Sequence, residues 1–184
     1  MARSVAPRGS ARTRVIEAAL VQFAEYGVNG TSLQMIADHL GISKASVYYQ
    51  FHSKDEIVLA VIRPVFAEID QLITEVEMLP AGAPRREATV AGLVEMAIRH
   101  RRVTAIFYGD PGIDHLVSSD PDCSGINERF KRVLAMAEED VATRVAMSLA
   151  ISGIYGSAMD PGIADISDEE LREALLQCAK RLVG

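Results

Sequence analysis

The sequence predicts an all-α protein, and three observations carry that expectation. Apolar positions recur at spacings of three and four along the 184 residues, period-two alternation is scarce, and helix-cap signals recur between the apolar runs. Apolar residues make up 49% and charged residues 24% of the chain, an ordinary balance for a folded globular protein. Ile16, Ala19, Leu20 and Phe23 set a first helix over about 13–26, stopped by Gly27 and Gly30. Thr31 or Ser32 caps a second over 33–40, with Ile36, Ala37 and Leu40 on one face and Gly41 where a tight turn needs a positive φ. Ser43 caps a third over 44–50. The capping box Ser53-Lys54-Asp55-Glu56 opens a long fourth helix reaching about Met78, which Pro64 is expected to kink or split.

After the loop of Pro80, Gly82 and Pro84, helical runs are expected at about 85–102 and 103–108. The steps Asp110-Pro111, Asp120-Pro121 and Asp160-Pro161 each offer a capping carboxylate followed by a proline, whose missing N–H costs nothing in a first turn. Further helices are placed at about 121–137, 139–159 and 168–182, the last after a Ser167–Glu170 capping box. The longest uncharged run, between Arg144 and Asp160, is 15 residues, too short to cross a bilayer. The first eleven residues are basic and small, without the apolar stretch of an export signal, and read as a flexible arm. A cytoplasmic location is expected, which fits two cysteines, Cys123 and Cys178, spaced too far apart for a redox or zinc motif; both are read as buried or inert.

The net charge of −6 hides a split: residues 1–54 carry +3 and the remainder −9. A basic head able to face phosphates and an acidic body follow from that division. Within the head, two short helices joined by a glycine turn have the layout of a helix-turn-helix, whose second helix enters a major groove. Ile36, Leu40, Ile42 and Val47 are its packing positions, and Lys44, Ser46, Tyr48 and Tyr49 project outward.

The run Gly41-Ile42-Ser43-Lys44-Ala45-Ser46-Val47-Tyr48-Tyr49-Gln50-Phe51 resembles the Gly-Val-Ser-x-x-x-Leu-Tyr-x-His-Phe stretch of the tetracycline-repressor (TetR) family of regulators. Phe23, Tyr26-Gly27, Thr31, Ile36-Ala37, Lys54 and Leu59 also fall where that family has them, so the resemblance covers about residues 12–62. It implies a helix-turn-helix domain over 12–54 and a helical effector-binding and dimerisation domain over 55–184. By this resemblance Gln34, Lys44, Ser46 and Tyr49 contact base edges, and Thr31, Ser32, Tyr48, His52 and Lys54 contact phosphates. The chemistry agrees, since Gln reads adenine, Lys reads guanine and a tyrosine ring meets a thymine methyl. Gln50 stands where the family commonly has His and can still donate to phosphate. Arg12 and Arg14, and Arg3 and Arg8 on the arm, are further candidates for the DNA backbone and minor groove.

The resemblance implies a regulator, expected to be a repressor, bound as a homodimer to palindromic double-stranded DNA and released by a small-molecule effector. Ser148, Ser152 and Gly156, with Gly153 and Ser157 in a second row, give the segment 139–159 small faces suited to close helix approach. That segment and 168–182, with Leu171, Leu175, Cys178 and Leu182 on one face, are the expected dimer helices. Met96, Phe107, Tyr108, Met136 and Tyr155 are the candidate effector-pocket residues. No cofactor and no metal is expected. Asp110, Asp114 and His115 have helical spacing, but Asp110 is needed as a cap; the cations Arg99, His100, Arg101 and Arg102 suit either an acidic effector or a helix C-terminus. The four histidines have no nucleophile setting, so the chain is not expected to be an enzyme. A small-molecule carrier with a degenerate head, or a small all-α enzyme, are the alternatives.

Overall fold

The computed structural model describes residues 8–108, 110–135 and 139–183, the side chains from residue 11 onward. Ten α-helices and one 3-10 turn make up the fold, with no strand among the described residues. In order they are α1 (Arg8–Gly30), α2 (Leu33–Leu40), α3 (Lys44–Gln50), α4 (Lys54–Glu77), α5 (Ala83–Arg99), α6 (Arg101–Phe107), α7 (Pro111–Ser119), α8 (Pro121–Ala135), α9 (Val141–Met159) and α10 (Asp168–Val183), with the 3-10 turn at Pro161–Ile163. The chain divides into two compact units, residues 1–64 and 65–184. The division falls inside α4, ten residues beyond the 54/55 position read from sequence, because Ile57, Val58, Val61 and Ile62 of its first turns are buried.

In the first unit, local chemistry sets most ends. Ser32 accepts from the Met35 N–H and starts α2, while Gly41, at φ 64° and ψ 33°, closes it in the left-handed region. Ser43 does the same for α3 by accepting from the Ser46 N–H. The core joins Val15, Ala19 and Phe23 of α1 to Ile36 and Ala37 of α2, with Val47 and Phe51 at the third helix, all buried. Two expectations are corrected here. The arm expected over 1–11 is already helical from Arg8, since nothing between Arg8 and Arg14 except Gly9 opposes a helix. Pro64 does not split α4: the helix runs through it and forgoes one backbone donor.

The second unit is a helical body. α5, α9 and α10 meet on a core of Leu93, Val94, Ala97, Met147, Ile154, Leu171 and Leu175. A smaller cluster joins Ile69 and Ile73 of α4 to Met96 of α5. All three Asp-Pro steps act as read. Asp110 accepts from Gly112 and Ile113, Asp120 from Asp122 and Cys123, and Asp160 from Gly162. Asp140 rather than Glu139 caps α9, so that helix starts two residues later than expected. The run expected over 85–102 ends at Arg99, and a separate α6 begins at Arg101.

Candidate nucleic-acid interface

α3 is short enough that its burial pattern decides what it offers. Val47 alone is buried; Lys44, Ala45, Ser46, Tyr48 and Tyr49 are exposed, Tyr49 at 73%. A large aromatic ring left in water is costly unless something covers it in use. Tyr48 packs edge-on to His52, with centroids 5.0 Å apart. Ser46 Oγ lies 2.8 Å from Ser43 Oγ, so the two hydroxyls share one proton site at the N-terminus of the helix. His52 is exposed, its Nδ1 3.4 Å from Glu56, and its own N–H donates to the same Glu56 carboxylate. That backbone bond, with the His52 ring and the Arg12 charge adding to it, holds the Glu56 carboxyl below the ordinary carboxylate range. Ser53 Oγ accepts from the Glu56 N–H, which completes half of the capping box read from sequence.

Three positions carried over by resemblance face a different way. Thr31 is 2% exposed, and its hydroxyl donates to Gly27 O at 2.8 Å and Gln22 O at 3.1 Å. It latches the end of α1, so its side chain is not available to phosphate. Lys54 donates to Val28 O at 2.6 Å and to Asn29 O at 3.3 Å, tying the start of α4 to the end of α1. Gln34 Nε2 donates to Asp38 Oδ1 at 2.7 Å, which engages one of its two N–H donors and leaves the other, with the amide oxygen, facing out. Ser32 is exposed while capping α2, and Gln50 is half-buried, its carbonyl accepting from Arg12 at 2.7 Å. Arg12 also lies over the Phe51 ring at 3.9 Å. The sequence reading of Arg12 as a backbone-gripping arginine missed both contacts, since they join residues 38 and 39 apart along the chain.

Residues 15–61 match the family model described as bacterial regulatory proteins, tetR family. Over its whole length the chain superposes on the ketosteroid transcriptional regulator KstR2 of Mycobacterium tuberculosis with a TM-score of 0.72, covering 99% of this chain and 97% of that one at 21% identity. Residues 15–61 thus form an N-terminal domain of the TetR family. Among curated relatives the chain is similar to the transcriptional repressor KstR2 of Rhodococcus jostii (strain RHA1), 31% identical over 122 residues, 65% of this chain and 54% of that protein. It is also similar to the transcriptional regulator RutR of Escherichia coli (strain K12), 39% identical over 51 residues, 28% of this chain and 24% of that one. The matched stretches thus span between a quarter and just over half of these relatives' own length.

In the body, the candidate effector residues fall into separate places. Tyr108 and Tyr155 stack, centroids 5.4 Å apart and 14° from parallel. Burial, with Tyr108 beside it, pushes the Tyr155 hydroxyl up to about 12. Met96 belongs to the small core cluster with Ile69 and Ile73, and Phe107 is buried. Met136 lies outside the described residues. The cations at 99–102 are largely engaged within the chain: Arg99 and His100 both reach Glu68, at 2.9 and 3.0 Å, and Arg101 donates to Ala158 O at 2.6 Å. Asp110 serves as the cap of α7, and among the described residues no three His, Cys, Asp or Glu side chains are grouped to hold a metal. Cys123 is buried, whereas Cys178 is exposed. Leu171, Leu175, Cys178 and Leu182 line one groove on the last helix, with Leu171 and Leu175 buried at its floor and Cys178 and Leu182 exposed. No described helix is long and apolar enough to cross a membrane.

Proposed function

We propose that the protein is a sequence-specific DNA-binding transcriptional regulator, acting as a repressor. The observation that carries this reading is α3, a two-turn helix with Val47 buried and Lys44, Ser46 and Tyr49 exposed side by side, in a head of net charge +3. Lys44 and Tyr49 are assigned to base edges, and Ser32, Tyr48 and His52 to phosphates. Gln34 is assigned to a base edge through its amide oxygen and the N–H that Asp38 does not hold. Thr31 and Lys54 support the site from behind.

The body is proposed to join two copies through α9 and α10. Gly153 and Gly156 support this: each costs a helix about 1 kcal/mol relative to Ala, yet a Cβ at either would meet nothing within 4 Å in the chain itself. Gly92 shows the contrast, since a Cβ there would lie against the Leu72 side chain. Glycines that no neighbour in their own chain requires fit a face packed closely by a second chain. Beside them Leu149, Ala174, Cys178 and Leu182 line an apolar groove between α9 and α10. A two-fold dimer with two heads matches a palindromic site. An effector held in the body and biasing the heads is part of the same reading, with the stacked pair Tyr108 and Tyr155 as its candidate contact.

The test is selection of bound duplexes from a random pool across a salt series, beside the double variant Lys44→Ala, Tyr49→Ala. Enrichment of one palindrome, lost in the variant, is expected. Binding without sequence preference that vanishes with salt would reduce the head to phosphate attraction and favour a carrier function.

A further inference from the structure

One cavity of the body stands out by the charge of its walls. α8 and α9 flank an open groove of about 590 Å³, with Lys131 and Leu134 on one side and Arg144, Val145, Ser148 and Ile151 on the other. Among the described residues no carboxylate lines it, although the chain carries 25 acidic residues against 19 Lys and Arg. Arg144 is the only charged residue in α9, is exposed, and forms no ion pair among the described residues. Among the described residues Lys131 pairs with Glu128, three residues before it at 2.9 Å, and both of those side chains are well exposed. Such a pair is weak and readily exchanged.

The remaining wall is apolar, apart from the hydroxyls of Ser148 and Ser152. Two cations and two hydroxyl donors over an aliphatic floor fit a negatively charged head with an apolar body attached. Low polarity beneath the cations strengthens their attraction for that head relative to open solvent. Ser148 and Ser152 fall on one line of α9, whereas Leu149 and Gly153 lie roughly a quarter turn around the helix at 100° per residue. The groove shares no lining residue with the one between α9 and α10, although Gly156 continues the line of its two serines.

We propose that this groove binds an amphipathic anion, with its carboxylate or phosphate head between Lys131 and Arg144 and its alkyl chain on Leu134, Val145 and Ile151. The assignment names a ligand chemistry that the effector reading does not, and it is independent of the head's action on DNA: the duplex selection can fail while the groove still binds.

Titration calorimetry of the full chain at pH 7, with decanoate, decyl phosphate and decanol below their aggregation limits, tests it. Both anions are expected to bind, decanol at least tenfold more weakly, and the stronger anion identifies the preferred head. The double variant Lys131→Gln, Arg144→Gln is expected to weaken the anions at least tenfold with circular dichroism unchanged, while Arg144→Lys retains most binding. Equal binding of decanol, unchanged binding in the double variant, or no binding of either anion overturns the proposal. So does sedimentation showing that the double variant loses self-association instead, since the groove would then belong to a second copy.

Discussion

Lys54 Nζ sits 2.6 Å from Val28 O, which also accepts from the Thr31 N–H, and that bond fastens the first turn of α4 to the C-terminal carbonyls of α1. A charge-assisted bond to a neutral acceptor contributes about 1.5–3 kcal/mol when shielded, and Lys54 is only half-buried. Lys54→Met, which keeps the stem and removes the charge, is expected to lower the local stability of the head by about 1–2 kcal/mol. Hydrogen exchange of amides in residues 15–51 reads this directly. Unchanged protection, with DNA affinity reduced and its salt slope shallower by about one, would instead return Lys54 to the phosphate role that the sequence suggested.

Gly153→Ala separates folding from association. In the single chain the added Cβ meets nothing within 4 Å, so α9 gains about 1 kcal/mol of helix propensity. At a face packed against a second copy the same methyl intrudes. Denaturation of dilute monomer should shift to higher urea while the dimer dissociation constant, by sedimentation, rises. A dimer indifferent to the substitution would mean that close approach does not occur at Gly153.

The helix-turn-helix was legible because its determinants are local. Ser32, Gly41 and Ser43 act on backbone groups within five residues, and Val47 is recognisable as the inward side of α3 from its neighbours alone. The intrachain bonds of Thr31 and Lys54 were not legible for the opposite reason: their partners are carbonyls around the kink at Gly27, and no spacing rule announces a bond between residues 54 and 28. Arg12 against Phe51 is the same kind of contact. In the body, the capping aspartates were local and legible. The pocket list was not, because a Met or an aromatic at helical spacing looks alike in core and cavity. Met96 proved to be core, and only Tyr108 and Tyr155 came together.

Glu68 ties the body's stability to pH. Hydrogen bonding from His100, then from Arg99, holds its carboxyl below the ordinary 4.5. The folded state therefore binds fewer protons than the unfolded one in that range. The contribution is fully present above the unfolded value and is lost as pH falls through the depressed one. Because Glu68 is about a third exposed, solvent screening keeps the effect modest. Glu68→Gln should lower stability at pH 7 and flatten its decline below about pH 4.5. Urea midpoints between pH 3 and pH 7 check both; parallel curves for the two proteins would show that Glu68 is not a source of the acid sensitivity.

Gly27 and Gly41 both have positive φ, yet they should not tolerate the same replacement. Gly41, at φ 64° and ψ 33°, lies in the left-handed helical region, which asparagine enters at small cost. Gly27, at φ 72° and ψ 164°, lies where essentially only glycine is found. There the Gly27 carbonyl must also stay aimed at the Thr31 hydroxyl. Gly41→Asn is expected to cost the head under about 1 kcal/mol, and Gly27→Asn about 1–3 kcal/mol. Neither site crowds a Cβ, since nothing in the chain lies within 4 Å of one at either position. The difference between the variants thus isolates backbone strain from packing. Equal losses in hydrogen exchange across α1–α3 would mean that the kink at Gly27 relaxes when an L-residue is placed there, with the Thr31 latch giving way before the backbone does.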